Sequence, residues 1–153
     1  MADNAHNPFS AVDPTLGYLY QIRCALLWSL QRLKSSTDFL VSVETLDDVA
    51  FEAADGTSAE LLQTKHHRSA TASLTDYSSD LWKTLRVWFT LAADRQMPAS
   101  STLVLVTTGV ADADSVASRL RASGRDVASA KRALDEVASS SGNQTLATAF
   151  AKY

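Results

Sequence analysis

The chain has 153 residues, 46% of them apolar and 20% charged, with a net charge of −3 at neutral pH. That length supports one domain with a real core, and the balance is that of a folded globular protein rather than a disordered one. It excludes nucleic-acid binding through bulk positive charge, so any such contact must come from a local basic patch or a partner subunit.

The single cysteine, Cys24, excludes an internal disulfide and a multi-cysteine zinc site. It lies in an apolar helical pattern and reads as a small core residue. No apolar run approaches the ~20 residues of a membrane span. The first residues, MADNAHNPFSAVDP, lack the basic-then-apolar order of a signal peptide. No membrane contact and a cytoplasmic location are the expectation.

Residues 1–13 are expected to be a flexible arm, His6 included. Asp13-Pro14 reads as a helix start, with Asp13 as N-cap and Pro14 at the first helical position. Leu16, Leu19, Tyr20, Leu26, Leu27, Leu30 and Leu33 recur at helical spacing up to Lys34, predicting a helix whose leucine side packs on a sheet. Gly17, a poor helix former, suggests close packing there. After a Ser35-Ser36-Thr37-Asp38 exit loop, three short apolar strands are predicted at residues 39–45, 49–54 and 59–66. Asp55-Gly56-Thr57 is a hairpin signal between the second and third.

Residues 68–73 read as a polar loop. Ser73 with Asp76 resembles a capping box, opening a long helix through Leu74, Tyr77, Leu81, Leu85, Trp88 and Ala92 to Arg95, stopped by Met97-Pro98. Trp82 and Phe89 lie off its inward stripe, which suggests a second apolar face for oligomerisation. Lys83 and Arg86 on the same helix are alternatively DNA contacts. Thr102–Thr108 is a β-branched and leucine run, predicting a strand buried on both faces and added in parallel by a crossover. Asp112 or Asp114 should cap a short helix through Val116 and Leu120, ending at Gly124. A further helix is predicted over 126–138, with Val127, Ala130, Leu134 and Val137 inward. Ser139-Ser140-Ser141-Gly142 reads as a break, and Asn143–Lys152 carries Leu146 and Phe150. No internal repeat is evident. The whole is an α/β domain over 14–153, expected to be the N-terminal part of a longer multidomain protein.

The chemistry concentrates between Phe39 and His67. Strand alternation puts Leu61, Gln63 and Lys65 on one side, and a closed hairpin would bring Asp48, Gln63 and Lys65 to one end of the sheet. A metal-dependent phosphodiesterase needs such a set. Mg²⁺ or Mn²⁺ neutralises the phosphate and activates water, and these hard ions take carboxylate, amide and carbonyl oxygens. Glu44, Asp48, Gln63 and the Thr64 carbonyl are candidate ligands. Lys65 can position water or offset developing charge. Of the adjacent Asp47 and Asp48 only one should reach the ion, and Asp48 is favoured because it directly precedes the apolar strand. His66, His67 and Arg68, with Lys83, are candidate phosphate contacts. A zinc site from His66 and His67 is not expected, since adjacent strand residues diverge.

Asp48, then fifteen positions later Gln63-Thr64-Lys65, resembles the PD-(D/E)XK nuclease superfamily in its QxK variant. The element order, helix, three-stranded antiparallel meander, helix, crossover strand, resembles its restriction-endonuclease-like core, with additional C-terminal helices. Gly17-Tyr18-Leu19-Tyr20-Gln21, Val43-Glu44-x-x-Asp47-Asp48-Val49 and Leu61-Leu62-Gln63-Thr64-Lys65-His66 look more narrowly like the double-stranded-DNA endonuclease domains of CBASS-type anti-phage effectors. Related domains are fused to STAND NTPases or encoded beside HerA-type ATPases. The resemblance covers residues 14–108. It implies Asp48, Gln63 and Lys65 as catalytic core, Glu44 as a further metal ligand, double-stranded DNA as substrate, and a sensor or ATPase partner outside this chain. An acidic lone domain needs homo-oligomerisation to align basic patches along a duplex. Tyr18 or Gln21 could face the site, as the resemblance marks this segment, although packing is the simpler role. The competing expectation is a nuclease-like fold that serves assembly without cutting, with Asp47-Asp48 as turn residues and Gln63 and Lys65 as a solvated strand face.

Overall fold

The computed structural model describes residues 12–57, 59–67 and 72–140, with side chains from Pro14 onward. Helix α1 (Val12–Arg32) leads into strands β1 (Phe39–Val43), β2 (Val49–Ala53) and β3 (Ala59–Lys65). The short strand β4 (Ser73–Leu74) precedes helix α2 (Ser79–Ala93). Strands β5 (Thr102–Thr107) and β6 (Val110–Ala111) follow, then helices α3 (Val116–Arg119) and α4 (Val127–Ser140).

The four-stranded sheet has the order β1-β2-β3-β5. β1 and β2 are antiparallel with Val43 opposite Val49, and β2 and β3 with Val49 opposite Leu62. β5 joins β3 in parallel, Leu62 beside Val104 and Lys65 beside Thr107, after the α2 crossover. The β2–β3 hairpin closes as its sequence predicts. Gly56 takes φ 70, a left-handed conformation natural to glycine, and the Asp55 carboxylate accepts from the N–H and hydroxyl of Thr57.

Helices cover both sheet faces. Ala25 and Trp28 of α1 pack on Val49, Phe51, Leu62, Val104 and Val106. Val87 and Leu91 of α2 pack on Ala50, Ala59 and Leu61 of the other face. Beyond α2, Trp82, Leu85 and Trp88 share a second core with Leu74, Val116, Ala130 and Val137. Burying these side chains together with Leu81, the large ones each contributing about 1.5–3 kcal/mol when fully enclosed, fastens α3 and α4 to α2.

Several expectations are corrected. The leucine side of α1 does not face the sheet: Leu16, Leu19, Leu26, Leu27, Leu30 and Leu33 are exposed. The buried side carries Gln21, Cys24 and Ala25, with Trp28 packed beside them. Gly17 marks no close packing, since a Cβ there would meet nothing within 4 Å. Asp13 lies inside α1 rather than at its cap. α2 starts at Ser79, not Leu74, with Ser78 at the cap and no side-chain bond to it. Ser73 and Leu74 instead pair with Val110 and Ala111, and Leu74 reaches the same core as Leu81, which mimics helical spacing. Trp82 is 1% exposed and Phe89 packs on that core, so α2 has no open apolar face at these residues.

β5 is not buried on both faces. It lies at the sheet edge, with Thr102 and Leu103 exposed and the rest half-buried. Ser115, not Asp112 or Asp114, caps α3 by accepting from the Ser118 N–H at 3.2 Å. Asp76, freed from the expected capping box, accepts from the Val116 N–H at 2.7 Å. Val127 is exposed on α4, while Ala130 and Val137 are buried as expected. Ser139 and Ser140 continue α4. The arm before residue 12, Arg68 and the segment after residue 140 lie outside the described residues.

Candidate functional site

The ladder between β2 and β3 stops at Val49 and Leu62. Beyond it the chain bends through 44–48, where Glu44 adopts φ 57 and its N–H donates to the Asp48 carbonyl at 3.1 Å. β3 runs on to Lys65, held on its other edge by β5. The Asp48 side chain fills the gap: its Oδ2 accepts from the Thr64 backbone N–H at 2.7 Å and from the Thr64 hydroxyl at 2.9 Å. A strand residue's N–H and C=O point to the same edge. The Thr64 carbonyl therefore faces the side that holds Asp48.

Asp47 and Asp48 diverge as adjacent residues should. The Asp47 carboxylate, 8% exposed, turns to α2 and accepts from Trp88 Nε1 at 2.7 Å through Oδ2 and from the Asp48 N–H at 2.9 Å through Oδ1. Burial pushes its carboxyl above the usual carboxylate range. Bonds from Trp88 and the Asp48 N–H oppose that rise, the Asp48 charge adds to it, and Lys65 opposes it. Both Asp47 oxygens are engaged, whereas Asp48 Oδ1 takes no part in either bond to Thr64.

Gln63 is buried and Lys65 half-buried, and alternation puts both with Leu61 on the α2 face. Where β2 and β3 part, Asp48 is thus tied to Thr64, while Gln63 and Lys65 flank Thr64 on the α2 face, the face to which Asp47 turns. Glu44 lies exposed in the adjoining bend. His66 is exposed with its ring 5.0 Å from Tyr20, so the Gly17–Gln21 segment of α1 does reach this end of β3. His67 turns to α2: its Nε2 is 2.7 Å from Asp80, and its N–H donates to the Thr108 hydroxyl at 2.8 Å. Lys83 is exposed one turn beyond Asp80, on the same side of α2.

Two participants had no local sequence signal, and a third, Gln21, belongs to the Gly17–Gln21 motif, for which packing was the simpler expectation. Trp88 is 41 positions from Asp47. The Thr64 hydroxyl acts through a side chain where only the carbonyl was expected. Gln21 is 9% exposed and its buried Oε1 has no partner. It sits one turn before Ala25, which packs with Leu62, and beside Tyr20, which meets His66. That puts it at the level of Thr64.

Among the described residues no three His, Cys, Asp or Glu side chains gather to hold a metal. A divalent ion at this end must therefore draw on amide and carbonyl oxygens beside Asp48. Asp48 Oδ1, the Thr64 carbonyl and, on the α2 face, the Gln63 amide are donors of the type a hard cation takes. A cleft of about 310 Å³ lined by Arg32, Phe39, Phe51, Glu60 and Thr102 opens at the opposite end of β3. There Arg32 pairs with Glu60 and lies over the Phe51 ring at 5.1 Å, so the cleft is separate from this cluster. No helix among the described residues is long and apolar enough to cross a membrane. The chain is an α/β protein with a mixed four-stranded sheet, and comparison with protein-family models, curated proteins and solved structures finds no match to it.

Proposed function

We propose that this domain is a metal-dependent DNA endonuclease of the PD-(D/E)XK type with a restriction-endonuclease-like core, acting as an effector of bacterial anti-phage defence. The observation that carries the reading is the Asp48–Thr64 junction. An acid that directly precedes β2 is fixed on the residue between Gln63 and Lys65, which supports reading D…QxK as parts of one site.

In this reading Asp48, Gln63, the Thr64 carbonyl and Glu44 would hold Mg²⁺ or Mn²⁺, which supplies charge neutralisation of the phosphate and a more acidic water. The chain's own groups do the rest. Thr64 orients the Asp48 carboxylate through two bonds to Oδ2, neither of which uses Oδ1. Lys65 orients the attacking water and offsets charge developing on the phosphate oxygens. Asp47, fastened to Trp88, holds the bend that presents Asp48. His66, His67, Arg68 and Lys83 would lie along flanking phosphates of double-stranded DNA. Neither the composition nor this cluster offers base readout, so control falls to homo-oligomerisation and to a sensor or ATPase partner.

The second reading is a non-cutting assembly module. The exposed leucine side of α1 is the surface such a module would use.

Plasmid degradation with Mg²⁺ or Mn²⁺, beside Lys65→Ala, an EDTA control and an artificially clustered sample, decides between them. Metal-dependent cutting lost in Lys65→Ala supports the nuclease. No cutting in the clustered sample at high metal, with no Mn²⁺ binding, supports the assembly module.

A further inference from the structure

The outward side of α1 carries Leu16, Leu19, Arg23, Leu26, Leu30 and Leu33 at spacings of three, four, three, four and three. That is an a/d heptad seam, the pattern by which one helix packs along another. The helical hydrogen bonding reaches its end, since the Leu33 N–H donates to the Ser29 carbonyl at 2.9 Å. Its leucines are 37–60% exposed, although the same helix buries Gln21, Cys24 and Ala25 against its own sheet. Among the described residues, α1 therefore has two packing faces and only one is occupied.

We propose that this face binds a second copy of the chain, α1 against α1, antiparallel about a two-fold axis between residues 24 and 25. The spacing itself selects that partner. It reads the same in both directions: a two-fold axis there sets Leu16 against Leu33, Leu19 against Leu30 and Arg23 against Leu26 of the second copy. The flanking Ile22 and Leu27, also exposed, are exchanged by the same axis. An isologous interface needs this self-complementarity, whereas an unrelated partner has no need of it. Charge selects the direction. A parallel pairing stacks the two Arg23 side chains in one layer and aligns the helix dipoles. The antiparallel one lays each Arg23 stem over Leu26 of the other copy with its guanidinium reaching water. The leucines and Ile22 together expose roughly 600 Å² per copy, most of the ~800 Å² that one partner contributes to a standard stable interface. The inference stands apart from the nuclease reading, because the site can cut or fail to cut with the interface intact.

The test is sedimentation equilibrium of the full chain, with and without Leu26→Glu/Leu30→Glu, and disulfide trapping in a Cys24→Ser background. The wild type should have twice its 16.5 kDa chain mass. The double glutamate variant should be a monomer with an unchanged circular dichroism spectrum, both positions being exposed. Arg23→Leu should lower the half-dimerisation concentration roughly tenfold, since a charged residue at a seam position weakens the pairing. Leu19→Cys mixed with Leu30→Cys should form a heterodimeric disulfide, and neither should crosslink alone. A monomeric wild type, whether or not it binds vesicles or another protein, overturns the proposal. So does a dimer untouched by the glutamates, or self-crosslinking of Leu19→Cys.

Discussion

Replacing Trp88 with phenylalanine isolates the bond that anchors the bend before β2. The indole Nε1 donates to Asp47 Oδ2 at 2.7 Å, with Asp47 8% and Trp88 7% exposed. Phenylalanine keeps an aromatic ring in the core and removes the donor. A hydrogen bond to a charged group contributes about 1.5–3 kcal/mol, and an oxygen left unpaired in this buried setting sits at the upper end of that range. The expected loss at neutral pH is about 2–3 kcal/mol, or about 2–4 °C in Tm for each kcal/mol in a chain of this size. The pH dependence identifies the cause. Burial raises the folded pKa of Asp47 above an unfolded value of about 3.9. The folded chain therefore keeps a proton that the unfolded chain has released. The resulting stability is present below the unfolded value and is lost as pH rises through the raised folded value. Trp88 bonds the charged form and lessens that loss, so Trp88→Phe moves the folded pKa further up. Its penalty should be larger at pH 7 than at about pH 4, because the raised folded pKa leaves more of Asp47 protonated at the lower pH. Urea unfolding of both proteins at the two pH values measures it, with Asp47→Asn in each background as a double-mutant cycle. Equal penalties at both pH values, or no coupling in the cycle, would refute the assignment.

Thr64→Val keeps the backbone bond to Asp48 and removes the hydroxyl bond at 2.9 Å; a loss of about 1 kcal/mol in urea unfolding is expected. Asp76→Ala removes the acceptor at the start of α3 and should cost about 1 kcal/mol. Hydrogen exchange should show faster amides in α3 and unchanged ones in β3. Gly56→Ala meets no steric contact but forces a Cβ into φ 70, so about 1–2 kcal/mol of destabilisation is expected, read as a lower Tm. In the proposed nuclease, Asp48→Ala should abolish both Mn²⁺ binding, followed by electron paramagnetic resonance, and cutting. Lys65→Ala should keep the ion and lose the cutting, and loss of both in each variant would contradict the division of roles.

The residues of the candidate cluster were legible because their signal is local. Asp55-Gly56-Thr57 closes the hairpin by backbone preference alone, and once it closes, period-two alternation assigns Gln63 and Lys65 to one face. The alternation of Asp47 and Asp48 was legible too, but not what each would meet. Trp88 and the Thr64 hydroxyl come to the two carboxylates through packing, which leaves no mark at any fixed spacing.

The misread elements share a cause. Leu74 and Leu81 are spaced as on one helix, yet one sits in a two-residue strand and the other in α2, both pointing into one core. The leucines of α1 repeat as a buried face does, yet the sheet took the side with Cys24 and Ala25. Periodicity says that a face is apolar and does not say what covers it. The β5 run has the composition of a central strand, but strand order puts it at the edge. Sequence by itself therefore determined the elements that rest on backbone chemistry: the hairpin, the β2 and β3 strands, the parallel crossover, and the types of residue at the candidate site. Tertiary structure alone decided which face of α1 is buried, which strand lies at the edge, and which acid reaches Thr64. Those are outcomes of competition among surfaces distant in the chain, settled by shape and desolvation rather than by any local preference.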